Sequence, residues 1–82
     1  MARHEVQTPI PGIFYRRPSP DEDVFTDEGA QIESGATIGL VEIMKNFQPV
    51  EAEVAGTIVE FLVENEEEVT AGQVLAVVDD GA

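Results

Sequence analysis

Ile32-Glu33-Ser34-Gly35-Ala36-Thr37-Ile38-Gly39-Leu40-Val41-Glu42 and Val69-Thr70-Ala71-Gly72-Gln73-Val74-Leu75-Ala76-Val77-Val78-Asp79 are two copies of one pattern, 37 residues apart. Each reads apolar, polar, small, Gly, polar, and then an apolar run that ends in an acid. The runs are β-branched and too short for a helical period, and the glycines before them mark turns. A second pair lies upstream in each half: Pro11-Gly12-Ile13-Phe14 matches Ala55-Gly56-Thr57-Ile58. The chain is therefore built twice from the same strand-and-turn unit. A unit this small cannot bury its own apolar face, so each half needs the other. The pattern predicts an all-β protein, a sandwich with quasi-twofold symmetry.

The two halves are not equal in length. Gly12 to Ile32 is 20 residues and Gly56 to Val69 is 13. The first half thus carries about seven extra residues, the length of Arg17-Pro18-Ser19-Pro20-Asp21-Glu22-Asp23. Two prolines that cannot donate to a ladder, followed by three acids, predict a loop over 17–23 that protrudes from the sandwich. Further strands are expected over 47–54 and 56–63, beside those of the repeat at 37–43 and 73–79. Residues 1–4 read as a flexible start, 5–79 as the domain and 80–82 as a short tail. Glu66-Glu67-Glu68 reads as a solvated turn, and His4 as a lone imidazole in a mobile segment.

Composition narrows the functions. The chain has 82 residues, 43% of them apolar, and no cysteine, which excludes disulfides, thiolate metal sites and a thiol nucleophile. Its formal net charge is -13. Counterion release cannot drive nucleic-acid binding by such a surface, and anionic lipid repels it. The charge itself suits a soluble, self-repelling surface, or a halophilic host. No stretch approaches the ~18 apolar residues of a membrane helix, and the first thirty residues hold no apolar signal segment. The expectation is a cytoplasmic protein with no nucleic-acid and no membrane partner. There is no Ser/His/Asp set, phosphate loop or metal signature.

Where the halves join, the chain reads Glu42-Ile43-Met44-Lys45-Asn46-Phe47. Strands flank this segment, so a tight hairpin is predicted, with Met44 and Lys45 presented to solvent. Lys45 is the single lysine, set against seventeen acids and three arginines. An acidic surface that keeps one lysine, at the symmetry point of the repeat, suggests a requirement for a primary amine. A flexible stem ending in a nucleophile suits acylation by an activated carboxylic acid once the amine is deprotonated.

Val41-Glu42-Ile43-Met44-Lys45, with Ala52, Gly56 and Thr57 downstream, resembles the biotin attachment site of biotin carboxyl carrier proteins. Pro11-Gly12-Ile13-Phe14-Tyr15-Arg16 and Pro18-Ser19-Pro20-Asp21 are similar to the carrier of bacterial acetyl-CoA carboxylase, which has an extra loop, the thumb, at this place. The likeness covers residues 5–79. Ile43 stands where that family usually has Ala or Ser, and Asn46 where it usually has Met or Leu. The resemblance implies a flattened barrel of two four-stranded antiparallel sheets, biotin held covalently on Lys45, and Glu42, Ile43 and Met44 as the surrounding site. It implies a thumb formed by Arg17, Pro18, Ser19, Pro20 and Asp21. It also implies a non-catalytic carrier served by a biotin protein ligase. The carrier moves a carboxyl group from a biotin carboxylase to a carboxyltransferase acting on an acyl-CoA, acetyl-CoA first among them. Two other readings of the lysine hairpin remain at this stage: a lipoyl carrier, which usually has an acid where Met44 stands, and an unmodified acidic interaction module.

Overall fold

The computed structural model describes residues 2–19 and 21–81. It contains eight strands: β1 (Arg3–Gln7), β2 (Gly12–Tyr15), β3 (Gln31–Ile32), β4 (Thr37–Ile43), β5 (Asn46–Glu51), β6 (Gly56–Phe61), β7 (Glu67–Val69) and β8 (Val74–Asp79). They form two four-stranded antiparallel sheets, β1-β8-β6-β3 and β5-β4-β2-β7. Substituting the repeat partner for each strand, β1 for β5, β8 for β4, β6 for β2 and β3 for β7, turns one sheet order into the other. The quasi-twofold sandwich predicted by the repeat is therefore present strand for strand.

The halves are exchanged rather than stacked side by side. β7, from the second half, pairs with β2 through Gly12↔Val69, and β3, from the first, pairs with β6 through Ile32↔Gly56. These are the repeat glycines meeting the repeat apolar residues of the opposite half. Both positions admit no side chain. A Cβ on Gly12 would collide with the carbonyl oxygen of Glu42, and one on Gly56 with that of Asp79, the 37-residue counterpart of Glu42.

The turns into β4 and β8 match as well. Ala36 donates its N–H to the Glu33 carbonyl at 3.0 Å, and Gln73 to that of Thr70 at 3.0 Å. Gly35 (φ 88°) and Gly72 (φ 84°) fill the third position of these turns. A positive φ there defines a type II turn and favours glycine. Each turn is tied to the neighbouring segment: Gly35 N–H to Ala52 O at 2.8 Å, and Gly72 N–H to Thr8 O at 2.7 Å.

The core lies between the sheets and follows the same symmetry. Phe14 answers Ile58, Ile38 answers Leu75, and Val41 answers Val78; all six are at most 1% exposed. The pairs are not equal in volume. Phe14 exceeds Ile58, and the difference is absorbed at Gly39, the counterpart of Ala76, where a Cβ would stand 2.5 Å from the Phe14 ring. Such exchange of bulk between facing positions keeps a small core at native density.

Two expectations are corrected. Residues 3 and 4 are not a loose start: Arg3 pairs with Asp79 and His4 with Val78, and the His4 ring lies 2.7 Å from an Asp80 carboxylate oxygen. The Asp80 N–H donates to Ala2 O at 3.0 Å, so the segment 80–81 is tied down too. The polar sequence Ala2-Arg3-His4-Glu5 concealed a strand because β1 is an edge with most side chains in water. Glu67 and Glu68 are likewise in a strand and not in a turn. β7 is an edge, so its glutamates reach solvent while the backbone pairs with β2. The turn is displaced to Glu66, whose φ of 67° brings its N–H onto the Phe14 carbonyl at 2.6 Å.

The close crossing at the repeat glycines predicts the largest alanine penalties in the molecule. Gly56→Ala should cost about 3 kcal/mol or more, because the clash is with backbone and cannot relax by a rotamer change. Gly35→Ala, which faces open space and only strains φ, should cost about 1–2 kcal/mol. Urea midpoints of the two variants test the order. Equal midpoints would show that the crossing is looser than the geometry indicates.

Candidate functional site

The hairpin between β4 and β5 is closed by the Ile43↔Asn46 pair, so Met44 and Lys45 alone form its loop. Both take positive φ, 51° and 68°. That is the backbone of a type I′ turn, whose twist matches paired strands but which is usually built from Asn and Gly. Two non-glycine residues in this region cost about 1–2 kcal/mol each. Neither residue repays that cost by packing: Met44 is 88% exposed and Lys45 is exposed. The turn therefore sets two unburied side chains on a rigid, strand-anchored apex. Ile43 is partly exposed as well, at 36%.

Behind the apex the outer face of the sheet carries Tyr15, Glu42 and Phe47. Glu42 pairs with Phe47 across β4 and β5. The Tyr15 hydroxyl donates to Glu42 Oε1 at 2.9 Å, and the Tyr15 and Phe47 rings meet at 5.9 Å between centroids, tilted by 52°. The hydrogen bond to Glu42 is the main reason that the Tyr15 phenol is held above its ordinary value of 10.0. Burial and the charges of Glu42 and Glu66 add to it.

The loop after β2 leans over this face. Its neck is closed where the Phe25 N–H donates to the Arg16 carbonyl at 2.8 Å. Within it Glu22 N–H bonds Ser19 O at 3.1 Å. Arg16 buttresses the neck. Its guanidinium lies 4.3 Å above the centre of the Phe61 ring and donates to Asp27 Oδ1 at 2.8 Å. Asp27 is held below the usual carboxylate range, chiefly by the Glu28 backbone N–H and then by Arg16.

Between loop, sheet and the β6–β7 turn lies a cleft of about 340 Å³, lined by Tyr15, Arg17, Pro18, Ser19, Phe47, Asn65 and Glu66. The structure thus brings Arg17, Pro18 and Ser19 beside the base of the hairpin. Asp21 is exposed and does not line the cleft, and Pro20 lies outside the described residues. Of the wall residues, Phe47, Asn65 and Glu66 carried no functional signal in the sequence. Asn65 takes its place because its Oδ1 accepts the Arg16 N–H at 2.8 Å. Phe47, a large apolar residue beside the turn, is left 52% exposed by its strand's register.

A family model described as biotin-requiring enzyme, for biotin and lipoyl domains, matches residues 4–78. The chain belongs to this family. Among relatives of this biotin-requiring domain, the biotin carboxyl carrier protein of acetyl-CoA carboxylase from Nostoc is 44% identical over 71 residues, 87% of this chain and 39% of that protein. The corresponding carrier of Pseudomonas aeruginosa is 41% identical over 70 residues, 85% of this chain and 45% of that one. The chain thus spans less than half the length of these curated relatives. The urea carboxylase of Kluyveromyces lactis contains the same fold, with a TM-score of 0.79 at 24% identity over 96% of this chain and 6% of the enzyme.

The chain has one tyrosine, so phenolate absorbance reports Tyr15 alone. Its titration midpoint should lie above 10, and Glu42→Gln should bring it down by removing both the charge and the strongest acceptor. By linkage, a phenol pKa raised in the folded state favours folding below pH ~10 and loses that contribution as pH rises through the folded value. A midpoint unmoved by Glu42→Gln would show that the hydrogen bond does not persist in solution.

Proposed function

We propose that this domain is the biotin carboxyl carrier of an acetyl-CoA carboxylase, with biotin joined to Lys45. The observation that carries the reading is the placement of the chain's single lysine, exposed, in a strained two-residue turn held by two strands. A backbone held in this region without compensating burial is what functional apices show. Identity with carriers from bacteria and plastids supports the choice of biotin over lipoate, as does Met44 in the position where a lipoyl domain usually has an acid.

On this reading the domain performs no catalysis. A biotin protein ligase activates the carboxyl group of biotin with ATP. Once the Lys45 ammonium has given a proton to the ligase, Nζ attacks the activated carbonyl, the activating group leaves, and the resulting amide no longer carries the lysine charge. Ile43, Met44 and Glu42 present the surface that the ligase meets. When bound, biotin supplies the ureido nitrogen that takes up and releases a carboxyl group. Everything else is positioning: the stiff turn carries a long arm into a biotin carboxylase and then a carboxyltransferase, both in the cytoplasm. Tethering turns each visit into an encounter at high effective concentration.

The cleft fits the ring of the cofactor. It offers flat faces from Tyr15 and Phe47, apolar cover from Pro18 and polar edges from Ser19 and Asn65. Its volume falls at the small end for ligand sites. Phe47 lies two residues from Lys45, about 7 Å along a strand, within reach of a folded-back arm. Arg17, Pro18 and Ser19 thereby act as a thumb over the ring.

Lys45→Arg keeps charge and length but offers no acylable amine. Incubated with a biotin ligase, ATP and biotin, the wild-type chain should bind streptavidin and the Arg variant should not, while both keep the same melting midpoint. Streptavidin binding by the variant would move the attachment elsewhere and end this reading.

A further inference from the structure

Three arginines make up the rest of the chain's fixed positive charge, and their positions differ in kind. Arg3 is in β1, in the other sheet from the hairpin. Arg16 is committed to Asp27 and to the face of Phe61. Arg17 lines the cleft beside the hairpin. Among the described residues no carboxylate lies within ion-pair distance of its guanidinium, which is what sets it apart from Arg16; the buried Nε–H has no acceptor in either residue. A buried donor without a partner is costly, and a cation left unpaired amid seventeen acids is unusual. Acylation of Lys45 removes the other positive charge of this region. After it, Arg17 is the single uncommitted cation beside the arm.

The cargo of that arm is an anion. A carboxylate attached to a ureido nitrogen, next to the ureido carbonyl, presents several oxygens in one plane, which suits a planar guanidinium fork. On a surface of net charge -13 such a group is repelled nearly everywhere, and Glu66 in the same cleft adds to that repulsion. We infer that Arg17 is the counter-ion for the transferred carboxylate when the loaded arm folds into the cleft, and that it slows loss of that group between the two active sites. The inference rests on biotin being joined to Lys45. Spontaneous loss breaks the nitrogen–carbon bond and releases CO2, and the electron pair left on the ureido group takes a proton from water. Charge leaves the carboxylate as the bond breaks. A cation held on the carboxylate therefore stabilises the starting state more than the transition state. Arg17 is a positioning residue here, acting on the lifetime of the cargo rather than on its transfer.

The test uses the purified biotinylated chain, loaded with labelled bicarbonate by a biotin carboxylase and then freed of that enzyme. Release of labelled CO2 is followed for wild type and for Arg17→Lys, Arg17→Gln and Arg17→Glu. An exposed charge pair corresponds to roughly a threefold effect. Arg17→Gln should therefore decay about threefold faster than wild type, with Lys between the two and Glu faster still. In parallel, the Arg17 Nε–H resonance, assigned by its loss in the variants, should shift between the biotinyl and carboxylated forms. Melting midpoints separate loss of the contact from loss of the fold, and Arg17→Lys keeps the comparison open if Arg17→Gln unfolds. Equal lifetimes across the charge series, or an Nε–H signal that ignores loading, would overturn the role of Arg17. Absence of biotin from Lys45 would instead overturn the function proposed above, and streptavidin binding tells the two apart.

Discussion

The structure depends on one contact made twice: backbone against backbone, at Gly12 over the Glu42 carbonyl and at Gly56 over that of Asp79. Any side chain at either glycine would hold the two strands apart. With none, β2 lies against β4 and β7, and β6 against β8 and β3. Each sheet then contains two strands from each half of the chain, so neither half closes its core alone. This exchange gives a domain of 82 residues without cysteine a shared core in place of covalent staples. It also sets the strand that leads to the hairpin between two neighbours. β4 is paired on both sides, with β2 and β5, from Leu40 to Glu42, and with β5 alone at Ile43 beside the turn.

The quasi-twofold relation sets the Met44-Lys45 hairpin apart without reference to chemistry. β4 and β5 correspond to β8 and β1. In the first pair Met44 and Lys45 join the strands. In the second the chain is open, and its two ends are laced by Asp80 to Ala2 and His4. The hairpin is thus the covalent version of a junction that the fold makes twice. A strained loop is tolerated there because the ladders beside it are already specified by the core. On the proposed function, the reach belongs to the arm and the turn fixes where the arm begins.

Much of this was legible in the residues. The 37-residue repeat gave the two halves and their strands, and the seven-residue difference between Gly12–Ile32 and Gly56–Val69 gave the protruding loop. The lone Lys45 pointed to the hairpin that the structure exposes. Three things were not legible, each for a physical reason. Edge strands satisfy their side chains in water, so Arg3–Gln7 and Glu67–Val69 carry little apolar signature although their backbones are fully part of the sheets. The turn type was hidden because Met44 and Lys45 disfavour the positive φ that both adopt. The cleft was hidden because its walls come from β2, the loop, β5 and the β6–β7 turn, segments as far apart as Tyr15 and Glu66. No local pattern reports such a meeting.

The charge distribution suits the proposed carrier role. Seventeen acids keep the domain repelling its own copies and anionic surfaces, while the apex itself shows Ile43, Met44 and Phe47 to solvent. An apolar tip on an acidic body can enter an enzyme's active site and leave again. The most direct test of the account is the intact mass of the chain after co-expression with a biotin ligase, followed by peptide mapping. The account predicts a gain of one biotinyl group, carried entirely by the peptide that contains Lys45. An unmodified chain under conditions that biotinylate a known carrier, or the mass of a lipoyl group on that peptide, would contradict it.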